Sequence, residues 1–521
     1  MNFKRNCFKI ITLMLATFSI TACQDVTAFV KYKPIVEVED THETIVGPNE
    51  SYIKYGDYLS YPASSKDGSE IKIDYLGSAY DVLTEYTGRH ILEATGDRKI
   101  LVVPVEFSDY TVKQLGVSSE EYVANLEKAF FGHEKNNKYV SVAEYYNRSS
   151  YGKLRITGKV CDKFYTFPKT VDEINTRKTV RDYVLDSYDK VLNWYEENYH
   201  DSLDDYRIDP ENGNNEIALY LVYAYTLPTD TEEKTFNKAF FWAYTFKDKP
   251  LSWSSYSFMN TLAGYPDAHT FIHEVGHLFG LEDYYPIEEK GVPSPAGKID
   301  MMDCSVGDHT ALSKMWLNWA RPYWVKDSCE ITIKALVDSG DLILINDEWN
   351  GTVFDEYYLI EFYSPTGLNY YDTNIGNSEA KLPTLPGVKI YHVDARLAYY
   401  EIELSKATFK HYCDEVSEPG QPNVVPDKTK KNINIAHNNS TNTEAKDTET
   451  HLKNYLYELE LNHVGHSISG YAKNVHLFRT GDVFEDLNKK WNKLNTTDYT
   501  ITITRNTFRD ATIKFEKVVK A

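Results

Sequence analysis

Two histidines four residues apart, His273 and His277, with Glu274 between them, restrict this chain more than any other feature. The spacing is H-E-x-x-H, which ordinary residue frequencies would produce in a chain of this size on the order of one time in a hundred. Its surroundings sharpen the signal. Phe271, Val275 and Leu278 recur at helical spacing with Ala268 and Phe279 alongside, so a helix here carries an apolar stripe. At about 100° per residue that stripe lies nearly opposite the two histidines. One face then packs on a core while the other presents two imidazoles, stacked one turn apart, to a cleft. Asp267 is placed to cap the start of the helix, and Gly280 to end it and turn the chain back.

Two imidazoles at this spacing suit a zinc ion, but a catalytic zinc takes three protein ligands and keeps one position open for water. Asp283 lies three residues past Gly280, where a returning chain offers a carboxylate oxygen. Glu282 is the rival from the same turn, and a distant glutamate from another helix is the third option. Glu274, beside His273, reaches the water rather than the metal and is the candidate general base. The competing reading is an amphipathic core helix whose histidines merely face solvent. The agreement of motif, opposed faces and glycine turn weighs against it.

The 521 residues suit two to four domains. A hydrophobic content of 42% with 42 tyrosines supplies well-buried cores. The net charge of -21, from 77 acidic against 56 basic residues, argues against nucleic acid as a partner. At the N-terminus, Lys4, Arg5 and Lys9 precede an apolar run from Ile10 to about Ile20. That is the pattern of an export signal, too short for a comfortable membrane span. Ile20-Thr21-Ala22-Cys23 resembles a bacterial lipoprotein lipobox, which implies that residues 1–22 leave as a signal peptide and that Cys23 is lipidated. The expectation is therefore an extracytoplasmic protein, lipid-anchored to the bacterial cell membrane. Cys161, Cys304, Cys329 and Cys413 then remain, too irregularly spaced for a disulfide framework or a structural zinc site.

Residues 23–95 are polar with scattered Gly, Pro and Ser and read as a linker or small pro-region. The run from Ile100 to Val105 predicts a buried strand, and residues 217–225 a second one. Helical spacing appears over 120–131, 140–151 and 179–199. Strands alternating with helices place an α/β domain over 96–325. Beyond it, ITIKALV, DLILI, YYLIEFY, VKIYHVD and YTITITRNTF predict a β-rich domain over 326–521, with a polar loop near 418–451.

HEVGHLFGLED followed by IDMMDCSVGDHTALSKMWLNWARP resembles the immune-inhibitor-A-like family of secreted bacterial metallopeptidases. Further likeness lies in RKILVVPVEFSD, SVAEYYNRSSYGKLRITG, LYLVYAY, EYYLIEFY and GVKIYHVDAR, so it spans roughly residues 98 to 400. The resemblance implies an α/β zincin-like catalytic domain followed by a β-rich C-terminal domain. It also implies His273, His277 and Asp283 as Zn2+ ligands, Glu274 as base, and Met302 as the methionine of a turn beneath the metal. Met301 is the alternative for that turn, and ordinary core packing would explain either methionine. Asp283 stands where metzincins have a third histidine; as a harder, charged ligand it makes the site less electrophilic. His309, shortly after the turn, is open to two readings, an oxyanion-stabilising or a structural histidine. Ca2+ is a further cofactor in view for an acidic exported protease, but no D-x-[DN]-x-[DN]-G loop is present and no ligands are assigned. The expected activity is zinc metalloendopeptidase action on protein or peptide substrates. A zinc hydrolase acting on another amide or ester, and a surface binding lipoprotein with a relic site, are the alternatives.

Overall fold

A computed structural model describes residues within 90–132, 140–225, 243–284, 297–374, 383–411, 433–435, 458–462, 472–485 and 498–518, together with Tyr80, with short gaps inside several stretches. The proposed signal peptide, Cys23 and most of 418–451 lie outside the described residues.

Strand β1 (Gly96–Phe107) is the spine of the first sheet. It pairs in parallel with β2 (Leu154–Val160) and β3 (Tyr165–Phe167) on one side. A hairpin of β4 (Arg207–Asp209) and β5 (Asn214–Ile217) precedes β6 (Leu219–Tyr223), which pairs in parallel with β1 on its other side. Strand β8 (Leu251–Ser255) follows in parallel, and β7 (Tyr244–Thr245) closes the sheet antiparallel to β8. The order is β2-β1-β6-β8-β7.

A strand buried on both faces should read as a continuous apolar run, because successive side chains enter different cores. That is the case here. Ile100, Val102, Tyr220 and Val222 enter a core on one face, whereas Leu101, Val103, Leu219 and Leu221 enter a core on the other. Helix α1 (Ser119–Phe131), helix α2 (Val142–Ser149) and the H-E-x-x-H helix α4 (His269–Leu278) pack in the first core. Helix α3 (Arg177–Asn198) covers the second through Val184, Tyr188, Val191 and Tyr195. Side-chain oxygens of Ser118 and Ser141 accept from the third helical N–H of α1 and α2 and so fix where each begins.

The first core continues without a break into the C-terminal strands, taking in Leu344, Ile360, Ile390 and Ile513. Those strands form one sheet of Pro322–Val325, Leu342–Ile345, Glu356–Tyr363, Gly387–Asp394 and Glu458–Asn462. A second contains Cys329–Lys334, Asp510–Lys517, Tyr499–Asn506 and Val483–Phe484. At the other end of the described chain, Ile91, Leu92 and Ala94 are buried, so the folded body takes in the last residues of the stretch read as linker. Leu92 N–H donates to the carbonyl of Leu278, the last residue of α4, at 2.7 Å. Cys161 and Cys329 are buried and unbridged, and burial pushes both thiols up, to about 12 and about 11; Cys304 and Cys413 lie outside the described residues.

Candidate metal centre

Helix α4 is held by its apolar side. Phe271 stacks on Phe130 with centroids 4.9 Å apart and meets the edge of Tyr220 at 5.5 Å. Ala268, Val275, Leu278 and Phe279 are buried beside it. The cap differs from expectation by one residue. Ala268 occupies the cap position, and Asp267 instead accepts from His269 N–H at 3.0 Å and pairs with the His269 ring at 3.0 Å. Asp267 therefore serves the first turn from just outside it. At the other end Gly280, with φ +86°, takes the left-handed conformation that ends a helix and sends the chain back.

That return brings Asp283 to the histidines. Its Oδ1 lies 3.0 Å from His273 Nε2 and 3.3 Å from His277 Nε2. Of the two adjacent carboxylates, it is Asp283 rather than the buried Glu282 that makes this approach. The opposite ring nitrogens are engaged by main chain: His273 Nδ1 bonds the Met301 carbonyl at 2.8 Å and His277 Nδ1 the Leu281 carbonyl at 2.8 Å. A carbonyl has no proton to give, so each Nδ1 carries the hydrogen. In neutral imidazoles both Nε2 atoms then present lone pairs to the carboxylate lone pairs of Asp283. A proton or a metal ion between them would relieve that repulsion. Zinc bonds of about 2.0–2.1 Å in a tetrahedral arrangement separate ligand atoms by about 3.3 Å, close to the 3.0 and 3.3 Å from Asp283 Oδ1 to the two histidine nitrogens.

Without metal, protons take that role. Burial alone would lower both histidines, but the Asp283 carboxylate more than offsets it, raising His273 above its ordinary value and His277 to about 9. Asp283 is held well below the usual carboxylate range; burial opposes this, and the two histidines override it.

Glu274 is buried, and one of its carboxylate oxygens lies with a nitrogen of each histidine in a group whose atoms are all within 4.8 Å of one another. By position alone Glu274 can serve either as a ligand beside the two histidines or as a group acting on something they hold. Burial raises its pKa, against the pull of the histidines. Thr245 in the edge strand β7 donates toward Glu274 Oε2 at 3.1 Å.

The Asp300–Asp303 turn lies under the helix. A Cβ on Gly276 would fall 2.5 Å from Met302 Sδ, so glycine between the two histidines is what lets the fully buried Met302 approach. Met301 contributes through its carbonyl and Met302 through its side chain. Asp300 holds the turn: it accepts from Met302 N–H at 2.8 Å, Thr310 N–H at 2.7 Å, Ser313 Oγ at 2.9 Å and His309 Nδ1 at 3.2 Å. His309 has no exposed side-chain surface and sits among Tyr145, Tyr146 and Trp319.

Thr245, Asp300 and the carbonyls of Met301 and Leu281 are the parts that sequence reasoning did not assign. Carbonyls belong to every residue, and Thr245 lies in a strand too short to show a period. Compared with known proteins, the chain matches no family model and no curated protein.

Proposed function

We propose that this protein is an exported zinc metalloendopeptidase tethered to the membrane through lipidated Cys23. The observation that carries the reading is the convergence of His273 Nε2, His277 Nε2 and Asp283 Oδ1, with both Nδ1 atoms committed to carbonyls. These three residues would hold the zinc. Bound there, zinc supplies Lewis acidity that lowers the pKa of water toward neutrality and polarises the scissile carbonyl. Glu274, raised toward the working range by burial, takes the proton of the attacking water and later delivers it to the leaving amine. No side chain forms a covalent bond to substrate.

A peptide is favoured over other amides by the sheet edge beside Glu274. Among the described residues no strand pairs on the outer side of β7. Phe246 N–H bonds the Leu251 carbonyl at 2.9 Å, which turns Phe246 toward β8 and leaves Thr245, opposite Ser252, at the neighbouring non-bonded position. Thr245 therefore turns its own N–H and C=O to the free edge, where an extended peptide can add as a strand. Zinc-dependent cleavage of an unstructured protein, lost in E274Q, tests the reading.

A further inference from the structure

The Thr245 hydroxyl makes contacts that nothing in the activity requires of a strand residue. It lies 2.8 Å from Ser252 Oγ, 2.9 Å from the main-chain oxygen of Glu274 and 3.1 Å from Glu274 Oε2. One hydroxyl has one proton to give. Both Glu274 oxygens are acceptors within reach of that proton, while between Thr245 and Ser252 either hydroxyl can donate. The Ser252 hydroxyl, on a residue with no exposed surface, thus borders Thr245, and Thr245 borders the carboxylate.

We propose that Thr245 is a positioning residue for Glu274, orienting its carboxylate through the hydroxyl that reaches Oε2. This rests on Glu274 being the base. The hydroxyl holds Oε2 and leaves Oε1 for water. Because Thr245 also presents its backbone to the free edge, the residue that would engage a substrate strand is the one that aims the base.

The test compares the zinc-loaded T245V, T245S and S252A proteins. Valine keeps the shape and removes the donor, so T245V should lose kcat by about tenfold to a hundredfold, with KM and zinc content little changed, as expected for one hydrogen bond to a charged group. T245S should recover most of that loss, and S252A, which leaves the Thr245 hydroxyl in place, should cost far less than T245V. In E274Q the T245V change should add no further loss, because Thr245 acts only through Glu274. Crystal structures give a readout independent of turnover: the Glu274 carboxylate should leave its place in T245V and keep it in T245S. An unmoved carboxylate in T245V, a T245S protein as slow as T245V, or an S252A protein equally slow overturns the proposal. A wild-type protein that cleaves no peptide removes the peptidase reading instead, and the crystallographic arm still decides the role of Thr245.

Discussion

His273 Nδ1 donates to the Met301 carbonyl at 2.8 Å, so a turn 28 residues farther along the chain sets the ring of a helix residue. The turn is in turn set by Asp300, whose two oxygens collect donors from Met302, His309, Thr310 and Ser313. Burial alone would raise Asp300, but those hydrogen bonds hold its pKa below the ordinary value.

Asp300→Asn should therefore do two things at once. Replacing a buried carboxylate that accepts several bonds costs roughly 1.5–3 kcal/mol for each charged bond weakened. Zinc affinity should also fall about 10- to 100-fold, as for other outer partners of metal ligands. Thermal melts and metal titration on the same sample check both. A destabilised variant with unchanged zinc affinity would show that Asp300 supports only the fold.

Asp283→Ala should sharply reduce zinc affinity and turnover, because it removes the oxygen 3.0 Å and 3.3 Å from the two histidine nitrogens. Glu282→Ala should spare zinc affinity, although loss of its buried side chain will lower stability. Asp283→His should retain metal better than alanine, since imidazole is a common third ligand. Metal titration of the three variants decides; zinc binding abolished by Glu282→Ala and kept by Asp283→Ala would move the ligand by one position.

The sheet and helices were legible where burial is one-sided or complete over several residues. Spacing over 120–131 and 179–199 predicts helices that the structure places at Ser119–Phe131 and Arg177–Asn198. ITIKALV, read as one β run, instead breaks at Ala335 into the short helix Leu336–Ser339, ended by Gly340 at φ +75°. Local apolar content cannot distinguish a strand from a buried turn of helix. His273, His277, Glu274 and the return at Gly280 were legible because they share one local segment. Asp300 was not singled out, because its partners are spread over 13 residues of loop and helix and only the fold brings them to one carboxylate.

Zinc affinity should rise with pH. In the metal-free cluster His277 titrates at about 9, so below that value zinc must displace a proton. Each proton displaced steepens affinity by about tenfold per pH unit, levelling off near the upper pKa. Competition titrations across the neutral range, with proton release followed in weak buffer, check this. A flat affinity between roughly pH 6 and 8 would mean that the ligands carry no proton to displace.

Cys23→Ser should release the protein from membranes, since thioether lipidation needs the thiol. Membrane fractionation, with mass spectrometry of the wild-type N-terminus, tests the tether. Retention of the serine variant in membranes, or no acyl chain on Cys23, would rule it out.

The central claim is that zinc held by His273, His277 and Asp283 works with Glu274 to hydrolyse peptide bonds. The most direct measurement strips the purified protein of metal, restores it with increasing zinc, and follows cleavage of an unstructured protein alongside bound metal. Activity should vanish on stripping and return in proportion to about one bound zinc per chain. E274Q should bind the same zinc with turnover lower by about 10²–10⁴-fold. Cleavage that persists in the metal-free protein, or a zinc-loaded E274Q as fast as wild type, would contradict the account.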